Sequence, residues 1–338
     1  MNYIGSKLKL SSFIFDEVKN TIKMDLSDCV FCDLFSGTSI VARTFKPFVK
    51  QIISNDIEFY SFVLAKNYIE NNFDESRANW LTEELNQVIL KFSLRGFIYD
   101  NYSEFANRQY FTNENAIRID TARANIEKWL KSSYINNQEY YFLLASLLES
   151  ADKLANTVSV YGAFLKKIKK SALKDLVIEK AEFLPTNQNN LVFNKNANEL
   201  IKTIKGDILY LDPPYNYREY GANYHLLNTI AIYDDFIPKG KTGLRDYTRS
   251  NWCKKAKVYD ELEELIKNAN FKYVFLSYND EGLLSFDDIK NIFSKYGEYS
   301  YVSKDYQRFK ADNNRTQKQD RTTEYLHILK IHEINSKN

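Results

Sequence analysis

The sequence contains few cysteines, and their pattern argues against a disulfide framework. Its 338 residues include three, Cys29, Cys32 and Cys253, an odd and sparse set. Cys29 and Cys32 have CxxC spacing, but they lie in a predicted buried strand, where residues three apart point to opposite faces, and no second pair accompanies them. Ordinary core packing is therefore favoured over metal or redox use.

Long apolar runs are also missing. No apolar run is as long as the roughly 18 residues that a membrane-spanning helix needs. The opening residues, 1–7, lack the apolar core of a signal peptide. We therefore expect a soluble intracellular protein.

The net charge is close to zero and by itself decides nothing about a nucleic-acid partner. Lysine and arginine number 46, and aspartate and glutamate 44, so the distribution of charge must decide. Residues 166–174 contain no acidic residue, and residues 304–321 combine an excess of basic residues with many Asn and Gln. Both segments suit a phosphate backbone, although the first could be a solvated helix face and the second a surface loop without function. The candidate DNA contacts are Lys166, Lys167, Lys169, Lys170, Arg308, Lys310, Arg315 and Lys318.

One short run, residues 208–215, guides the interpretation of the rest of the chain. The apolar residues 208–211 predict a fully buried strand of a parallel sheet, and Pro213 and Pro214 end it at Asp212. The strand end then carries a carboxylate, a backbone carbonyl and the ring of Tyr215 on a stiff turn. Two acceptors suit the two hydrogens of an exocyclic amine, and a ring can stack on a flat heterocycle. The run therefore predicts a binding site for a nucleobase amine.

A second unit predicts a nucleotide-like ligand. Residues 29–33 form a predicted buried strand that ends at Asp33, and a turn of small residues leads into a helix through Phe45. Such a turn lets a ligand approach the backbone at the helix amino terminus. The next strand, around residues 52–54, is followed by Asp56, 23 positions after Asp33, where a doubly wound fold places its ribose ligand. The alternative is that Asp56 caps a helix over residues 62–68.

The middle of the chain loses the alternation of strands and helices. Residues 73–191 are predicted to be mostly helical, with apolar stripes of helical spacing in 114–130 and 140–154 that suit a core. We expect residues 1–72 and 192–338 to form one α/β domain and residues 73–191 to be inserted in it. Near the end, residues 273–278 predict a further buried strand, and residues 299–302 and 325–331 an antiparallel pair. His225 is a lone histidine, and hydrogen bonding in the core or at the surface is favoured over metal binding.

Several motifs resemble those of DNA adenine methyltransferases that use S-adenosylmethionine. Asp212-Pro213-Pro214-Tyr215 resembles their DPPY motif, and the turn resembles their FxGxG signature, with Phe35 and Gly37 matched and Ser39 in place of the second glycine. Residues 3–7 resemble the first motif of the group in which the cofactor motif precedes DPPY. Residues 216–227 resemble a stretch found in a subgroup associated with CATG recognition.

The resemblance implies a Rossmann-like methyltransferase fold of the α/β class, with a mixed, mainly parallel sheet and an inserted, mostly helical target-recognition domain. It implies an adenine-specific DNA methyltransferase (EC 2.1.1.72) that acts on double-stranded DNA in the cytoplasm of a bacterial or phage-infected cell. A restriction-modification system with a separate endonuclease would be its setting, and no membrane or metal is implied. The implied catalytic residues are Asp212, Pro213, Pro214 and Tyr215. The implied residues for S-adenosylmethionine are Tyr3, Gly5, Lys7, Asp33, Phe35, Gly37, Asp56 and Asp212. Relatives often carry aspartate at the position of Asn196, where it would hold the adenine of the cofactor.

The implied chemistry is direct methyl transfer to a flipped-out base. Asp212 and the Pro213 carbonyl would accept the hydrogens of the adenine amine, while Tyr215 stacks on the ring. One alternative is methylation of a cytosine amine or of RNA adenine, although such relatives more often carry Ser or Asn in place of Asp212. Another is a catalytically inactive DNA-binding relative.

Overall fold

The computed structural model describes residues 7–307 and 321–332, and its strands form one mixed sheet. The strands are β1 Val30–Asp33, β2 Gln51–Asn55, β3 Leu191–Phe193, β4 Ile208–Leu211, β5 Tyr273–Asn279, β6 Gly297–Gln307 and β7 Arg321–Ile331. The sheet has seven strands in the order β3-β2-β1-β4-β5-β7-β6. The first five of these pair in parallel, and β7 pairs antiparallel with both β5 and β6. The predicted α/β class with a mixed, mainly parallel sheet is confirmed.

The central strands are buried on both faces, as their uninterrupted apolar sequences predict. Every residue of β4 and of β5 is buried. Leu209 belongs to the core cluster on one face. On the other face Phe31 of β1 stacks on Phe45 at a centroid distance of 4.1 Å. Cys29 and Cys32 are fully buried, so their predicted place in the core is confirmed.

Three strands of the sheet depart from the sequence prediction. β3 has only three residues, one of them exposed, and its short apolar sequence was not predicted to be a strand. β6 and β7 are each 11 residues long, longer than the predicted pair, because their polar residues continue the ladder beyond the apolar ones.

The chain divides into two compact units. The sheet lies in the unit made of the described parts of Ser6–Ile57, Gln188–Glu219 and Arg249–Asn338, and the other unit comprises Glu58–Asn187 and Tyr220–Thr248. The helices of the sheet unit are α1 Ser11–Thr21, α2 Ile40–Phe45, α8 Ala197–Leu200, α11 Val258–Asn268 and α12 Phe286–Ser294. The helical unit therefore includes residues 58–72 and 220–248 in addition to residues 73–187 of the predicted insertion, whereas residues 188–191 belong to the sheet unit. The role of the insertion in target recognition remains a prediction.

The helical unit contains the helices α3 Phe59–Ala65, α4 Glu75–Lys91, α5 Phe97–Tyr102, α6 Asn113–Lys131, α7 Asn137–Leu154, α9 Tyr220–Asn223 and α10 His225–Ile232. α6 and α7 coincide closely with the two predicted apolar stripes. Thr112 caps α6 by accepting from the Asn115 amide, and Asn136 and Glu139 form a capping box at the start of α7. None of the helices in the described part of the chain combines the length and the apolar character needed to cross a membrane.

Residues 155–190 are not helical, and here the prediction of a mostly helical segment up to 191 is wrong. Their only helical turn is the short 3-10 turn Lys170–Leu173. Asparagine side chains take the backbone hydrogen bonds that a helix would have formed internally. Asn115 of α6 donates to the carbonyls of Ala172 and Lys174 and accepts from the Leu176 amide. Asn86 of α4 pairs in both directions with the backbone of Ile178.

Candidate active site

Three carboxylates stand at the carboxyl ends of three neighbouring parallel strands. Asp33 is the last residue of β1, Asp56 follows β2 and Asp212 follows β4. The strand order reverses direction between β1 and β4, and a parallel sheet opens a ligand crevice at such a switch point. Hydrogen bonding continues across it, from the Leu34 amide to the Tyr210 carbonyl at 3.2 Å. The sequence motifs are thus brought together at one edge of the sheet.

The turn after β1 has the tight backbone that its small residues predict. Gly37 has φ 50° and Ser39 has φ 59°, both in the left-handed region. The Gly37 amide donates to Asp56 Oδ2 at 2.8 Å. Asp56 therefore braces the turn, whereas the N-cap residue of α3 is Glu58. The structure thus gives no support to the alternative in which Asp56 caps the following helix.

Asp33 is buried and only half satisfied. Its Oδ2 accepts from the Ala42 amide at 3.1 Å, while Oδ1 has no hydrogen-bond partner among the described residues. Burial, reinforced by the charges of Asp212 and Asp56, raises the pKa of Asp33 to about 8. Three buried hydroxyls of this sheet edge also lack a partner within the described chain, those of Ser36, Ser39 and Ser54. Clustered unsatisfied polar groups of this kind are typical of a ligand site.

Asp212 is joined to two charged residues that lie far from it in the sequence. Lys7 Nζ is 2.9 Å from Asp212 Oδ1 and 3.0 Å from Glu324 Oε1. Lys7 and Glu324 are almost fully buried, and Asp212 is 19% exposed. Burial raises the pKa of Asp212 to about 6, a change that Lys7 opposes and Glu324 reinforces. Burial alone would lower the pKa of Lys7, but the two carboxylates raise it well above its usual value.

Glu324 was not among the residues singled out as functional, and Lys7 was assigned only to the cofactor. Glu324 begins Glu324-Tyr325-Leu326, a run that resembles the family. A glutamate in a strand pattern usually faces solvent, so nothing local marks Glu324 as a partner of Asp212. The motif that contains Lys7 indicated a site residue but not which group it contacts. The contact with Glu324 depends on the pairing of β5 with β7, which sets Glu324 opposite Asn279.

The ring of Tyr215 is partly exposed and held from several sides. The backbone carbonyl of Tyr215 accepts a hydrogen bond from the Leu283 amide at 2.9 Å. Its ring meets Tyr278 edge to face at a centroid distance of 6.4 Å, and Lys7 Nζ lies 5.9 Å from its centroid. No donor among the described residues reaches the carbonyl oxygen of Pro213. The arrangement is compatible with a stacking surface beside two hydrogen-bond acceptors.

Phe35 and Asn196 lie in the same unit. The partly exposed ring of Phe35 meets Trp252 edge to face at 5.1 Å, and the Trp252 indole donates to Asn198 Oδ1. Trp252 belongs to no motif and was not among the predicted site residues. Asn196 is the N-cap of α8 and accepts from the amides of Asn198 and Glu199. In this chain the side chain of Asn196 therefore begins a helix.

The remaining predicted residues fall into two groups. Tyr3, Gly5, Arg308, Lys310, Arg315 and Lys318 lie outside the described residues. The four lysines of the other basic segment lie in the helical unit. Lys166, Lys167 and Lys170 are exposed, whereas Lys169 is half-buried and its ammonium donates to the Thr157 carbonyl at 2.8 Å. The Lys169 side chain thus links residue 169 to the backbone at Thr157.

His225 is a core residue, as predicted. Its Nε2 lies 3.0 Å from the Tyr161 carbonyl, and burial lowers its pKa to about 4. The described residues contain no group of three or more side chains arranged to hold a metal ion.

A mixed sheet of this order, with an acidic residue at or directly after the ends of β1, β2 and β4 and a DPPY turn at the switch point, is typical of a methyltransferase that acts on an amine. The chain belongs to the D12 class of N6 adenine-specific DNA methyltransferases, whose sequence pattern matches residues 3–292. This membership confirms the predicted family and enzyme class, and it favours adenine in DNA over the alternative substrates.

Individual relatives agree with the family. The chain is 55% identical to the type II methyltransferase M.NlaIII of Neisseria lactamica, over 97% of this chain and 99% of the relative. It is 41% identical to the type II methyltransferase M.CviAII of Paramecium bursaria Chlorella virus 1, over 92% and 93% of the two chains. It is 36% identical to the modification methylase StsI of Streptococcus sanguinis, over 88% of this chain and 46% of that longer relative.

Proposed function

We propose that this methyltransferase transfers a methyl group from S-adenosylmethionine to the 6-amino group of a flipped-out adenine in duplex DNA. The observation that carries the proposal is the position of Asp212 at the end of β4, directly beside the glycine turn after β1. Acceptors for an amine and a nucleotide-like site therefore share one edge of the sheet. The family assignment indicates that the base is adenine and that the nucleic acid is DNA.

The residues at the turn fit S-adenosylmethionine. The cofactor carries a sulfonium and an ammonium group, and this sheet edge offers the carboxyl groups of Asp33, Asp56 and Asp212. Asp33 would hold the ammonium group with the oxygen that lacks a partner among the described residues. Asp56 would hold the ribose hydroxyls, and the ring of Phe35 would cover an apolar part of the ligand. When bound, the cofactor supplies an electrophilic methyl group.

Asp212, Pro213 and Tyr215 would act on the adenine. Extrahelical adenine costs a few kcal/mol of lost stacking, and a base stacked on Tyr215 regains roughly 1–3 kcal/mol. Asp212 and the Pro213 carbonyl would accept the two hydrogens of the amine, which orients the nitrogen for attack. Pro214 has no amide hydrogen, so it cannot compete for these acceptors.

We further propose that the target is CATG and that the protein is the modification enzyme of a type II restriction-modification system. Residues 216–227 resemble a stretch of a subgroup associated with CATG, and the names of the relatives describe type II methyltransferases and a modification methylase. A cognate endonuclease would then act as a separate protein. The exposed Lys166, Lys167 and Lys170 would contact DNA phosphates without reading the sequence.

Methyl transfer to defined duplexes tests this function. With labelled S-adenosylmethionine, the protein should methylate the adenine of a CATG duplex and leave a CTAG duplex unlabelled. Asp212→Asn replaces one acceptor oxygen by a donor and should lower kcat by about 100-fold or more, by analogy with the loss of one group that stabilises the transition state. Asp287→Asn, a change at an exposed position of α12, should have no effect.

Each result bears on a separate part of the proposal. Equal labelling of the CATG and CTAG duplexes would refute the target, and label in RNA or cytosine would refute the substrate. Full activity of Asp212→Asn would refute the role of Asp212.

A further inference from the structure

The second carboxylate of the Asp212 cluster has no structural task that its surroundings explain. Glu324 lies on β7 and is 3% exposed. Neither of its carboxylate oxygens accepts a hydrogen bond within the described part of the chain, although Lys7 Nζ is 3.0 Å from Oε1. A buried ion pair whose carboxylate accepts no further hydrogen bonds is often no more stabilising than apolar residues of similar size. Stability therefore does not account for Glu324.

Lys7 connects this glutamate to the proposed catalytic aspartate. Its ammonium lies between the two carboxylates, at 2.9 Å from Asp212 Oδ1 and 3.0 Å from Glu324 Oε1. An ammonium group paired with one carboxylate could swing on the flexible lysine stem, whereas an ammonium group paired with two carboxylates on different segments of the chain has one position. With Lys7 on Oδ1, the other oxygen of Asp212 can face an incoming amine.

We propose that Glu324 is a positioning residue that holds the Lys7 ammonium against Asp212 and so sets the pH range in which Asp212 can accept the adenine amine. This inference rests on the proposed function of Asp212. With all three groups ionised, the cluster carries one net negative charge. That charge suits a site that must bind a hydrogen-bond donor.

The surroundings of Asp212 define which charges control it. The titratable groups that act on Asp212 or are acted on by it are Lys7, Glu324, Tyr210, Tyr215 and Asp33. Burial raises the pKa of both tyrosines, so they are neutral over the working range. Asp33 is half satisfied at the end of β1 and stays the same in every variant used below. The charges that the variants change are therefore those of Lys7 and Glu324.

The two charges have opposite effects on Asp212. The Glu324 carboxylate raises the pKa of Asp212, and the Lys7 ammonium lowers it. Asp212 accepts an amine hydrogen only when it is ionised, so activity falls on the acid side as Asp212 is protonated. Glu324→Gln should therefore move the acid limb of activity to lower pH. Lys7→Met should move it to higher pH.

The experiment is the pH profile of single-turnover methyl transfer to DNA without adenine methylation, between about pH 5 and pH 9. We expect shifts of roughly one pH unit in opposite directions for the two variants, which is about tenfold in rate below the limb. Glu324→Asp keeps the charge and should retain the acid limb of the unaltered protein, even where the rate falls. Glu298→Gln is the matched control, because Glu298 is an exposed glutamate on the neighbouring strand β6.

The outcomes separate this inference from the proposed function. If the unaltered protein transfers no methyl group to adenine, the proposed function fails. If it is active but Glu324→Gln leaves the acid limb in place, or moves it as Glu298→Gln does, the role of Glu324 is refuted. Should Lys7→Met not fold, the comparison of Glu324→Gln with Glu324→Asp still tests the role of Glu324. A purely structural role would not make the position of the acid limb depend on the charge at residue 324.

Discussion

At the scale of single residues, Ser39 shows what the turn after β1 demands of its sequence. It occupies a left-handed backbone conformation, φ 59°, where the related signature has glycine. A side chain in that conformation costs about 1–2 kcal/mol. Ser39 is also fully buried, and its hydroxyl lacks a partner among the described residues. The serine side chain therefore disfavours the left-handed backbone conformation that the turn requires.

Ser39→Gly should stabilise the protein. Removing the strained Cβ and the unsatisfied hydroxyl should raise the free energy of unfolding by about 1 kcal/mol, after the greater freedom of glycine in the unfolded chain is subtracted. Urea denaturation measures the change. Ser294→Gly, at the end of α12, is the control and should have the opposite sign, because glycine is unfavourable in a helix. A loss of stability for Ser39→Gly would contradict this account.

At the scale of elements, the loop after α10 depends on backbone contacts that its sequence does not reveal. The loop closes through the bridge between Lys239 and Leu244, and Gly240 and Gly243 both have positive φ, 68° and 69°. The Tyr102 hydroxyl donates to the Gly243 carbonyl at 2.6 Å. All of these residues lie in the helical unit, so the loop is fastened to α5 of the same unit.

The two glycines provide a matched pair of substitutions. A Cβ at Gly243 would lie 2.7 Å from Tyr102 Cε1, whereas one at Gly240 would meet nothing within 4 Å. Gly240→Ala should cost about 1 kcal/mol of backbone strain alone. Gly243→Ala should cost about 1–3 kcal/mol more, because the packed ring of Tyr102 must move. Thermal unfolding of both variants measures the difference, and equal losses would show that the contact with Tyr102 contributes nothing.

At the scale of the whole molecule, the buried Asp33 of the proposed cofactor site lowers the free energy of unfolding as pH rises. Asp33 has a pKa raised by burial to about 8, so the folded chain keeps its proton while the unfolded chain releases it above about pH 4. Its contribution to the free energy of unfolding therefore decreases as pH rises from about 4 to about 8. His225 and His327 act in the opposite direction at acid pH, because burial lowers the pKa of each to about 4.

Asp33→Asn separates these effects. The variant cannot ionise at position 33 but keeps both histidines, so subtracting the two stability curves isolates Asp33. We expect the advantage of Asp33→Asn in free energy of unfolding to increase between about pH 4 and pH 8, by on the order of a few kcal/mol. The same variant should bind S-adenosylmethionine more weakly in a calorimetric titration. A difference between the curves that does not change with pH would show that Asp33 is ionised in the folded chain.

Much of the fold and part of the site could be predicted because local patterns determine them. The strand before Asp212, the turn with Gly37 and the helices α6 and α7 follow from apolar periodicity, proline and capping residues, all of which act within a few positions. The family followed from the motifs at these places. The segment 155–190 was mispredicted because asparagines from α4 and α6 bind its backbone, and composition does not record such partners.

The sequence by itself determined which groups stand at the strand ends: Asp33, Asp56, Asp212 and Tyr215. Only the tertiary structure decided what those groups contact. Lys7, Asp212 and Glu324 are separated by 205 and 112 positions, and Glu324 reaches the other two because β7 enters the sheet beside β5. Burial then changes the pKa of Asp212, since a charge in a buried site is controlled by the few charges next to it. Neighbours of that kind are set by chain topology, which no local pattern encodes.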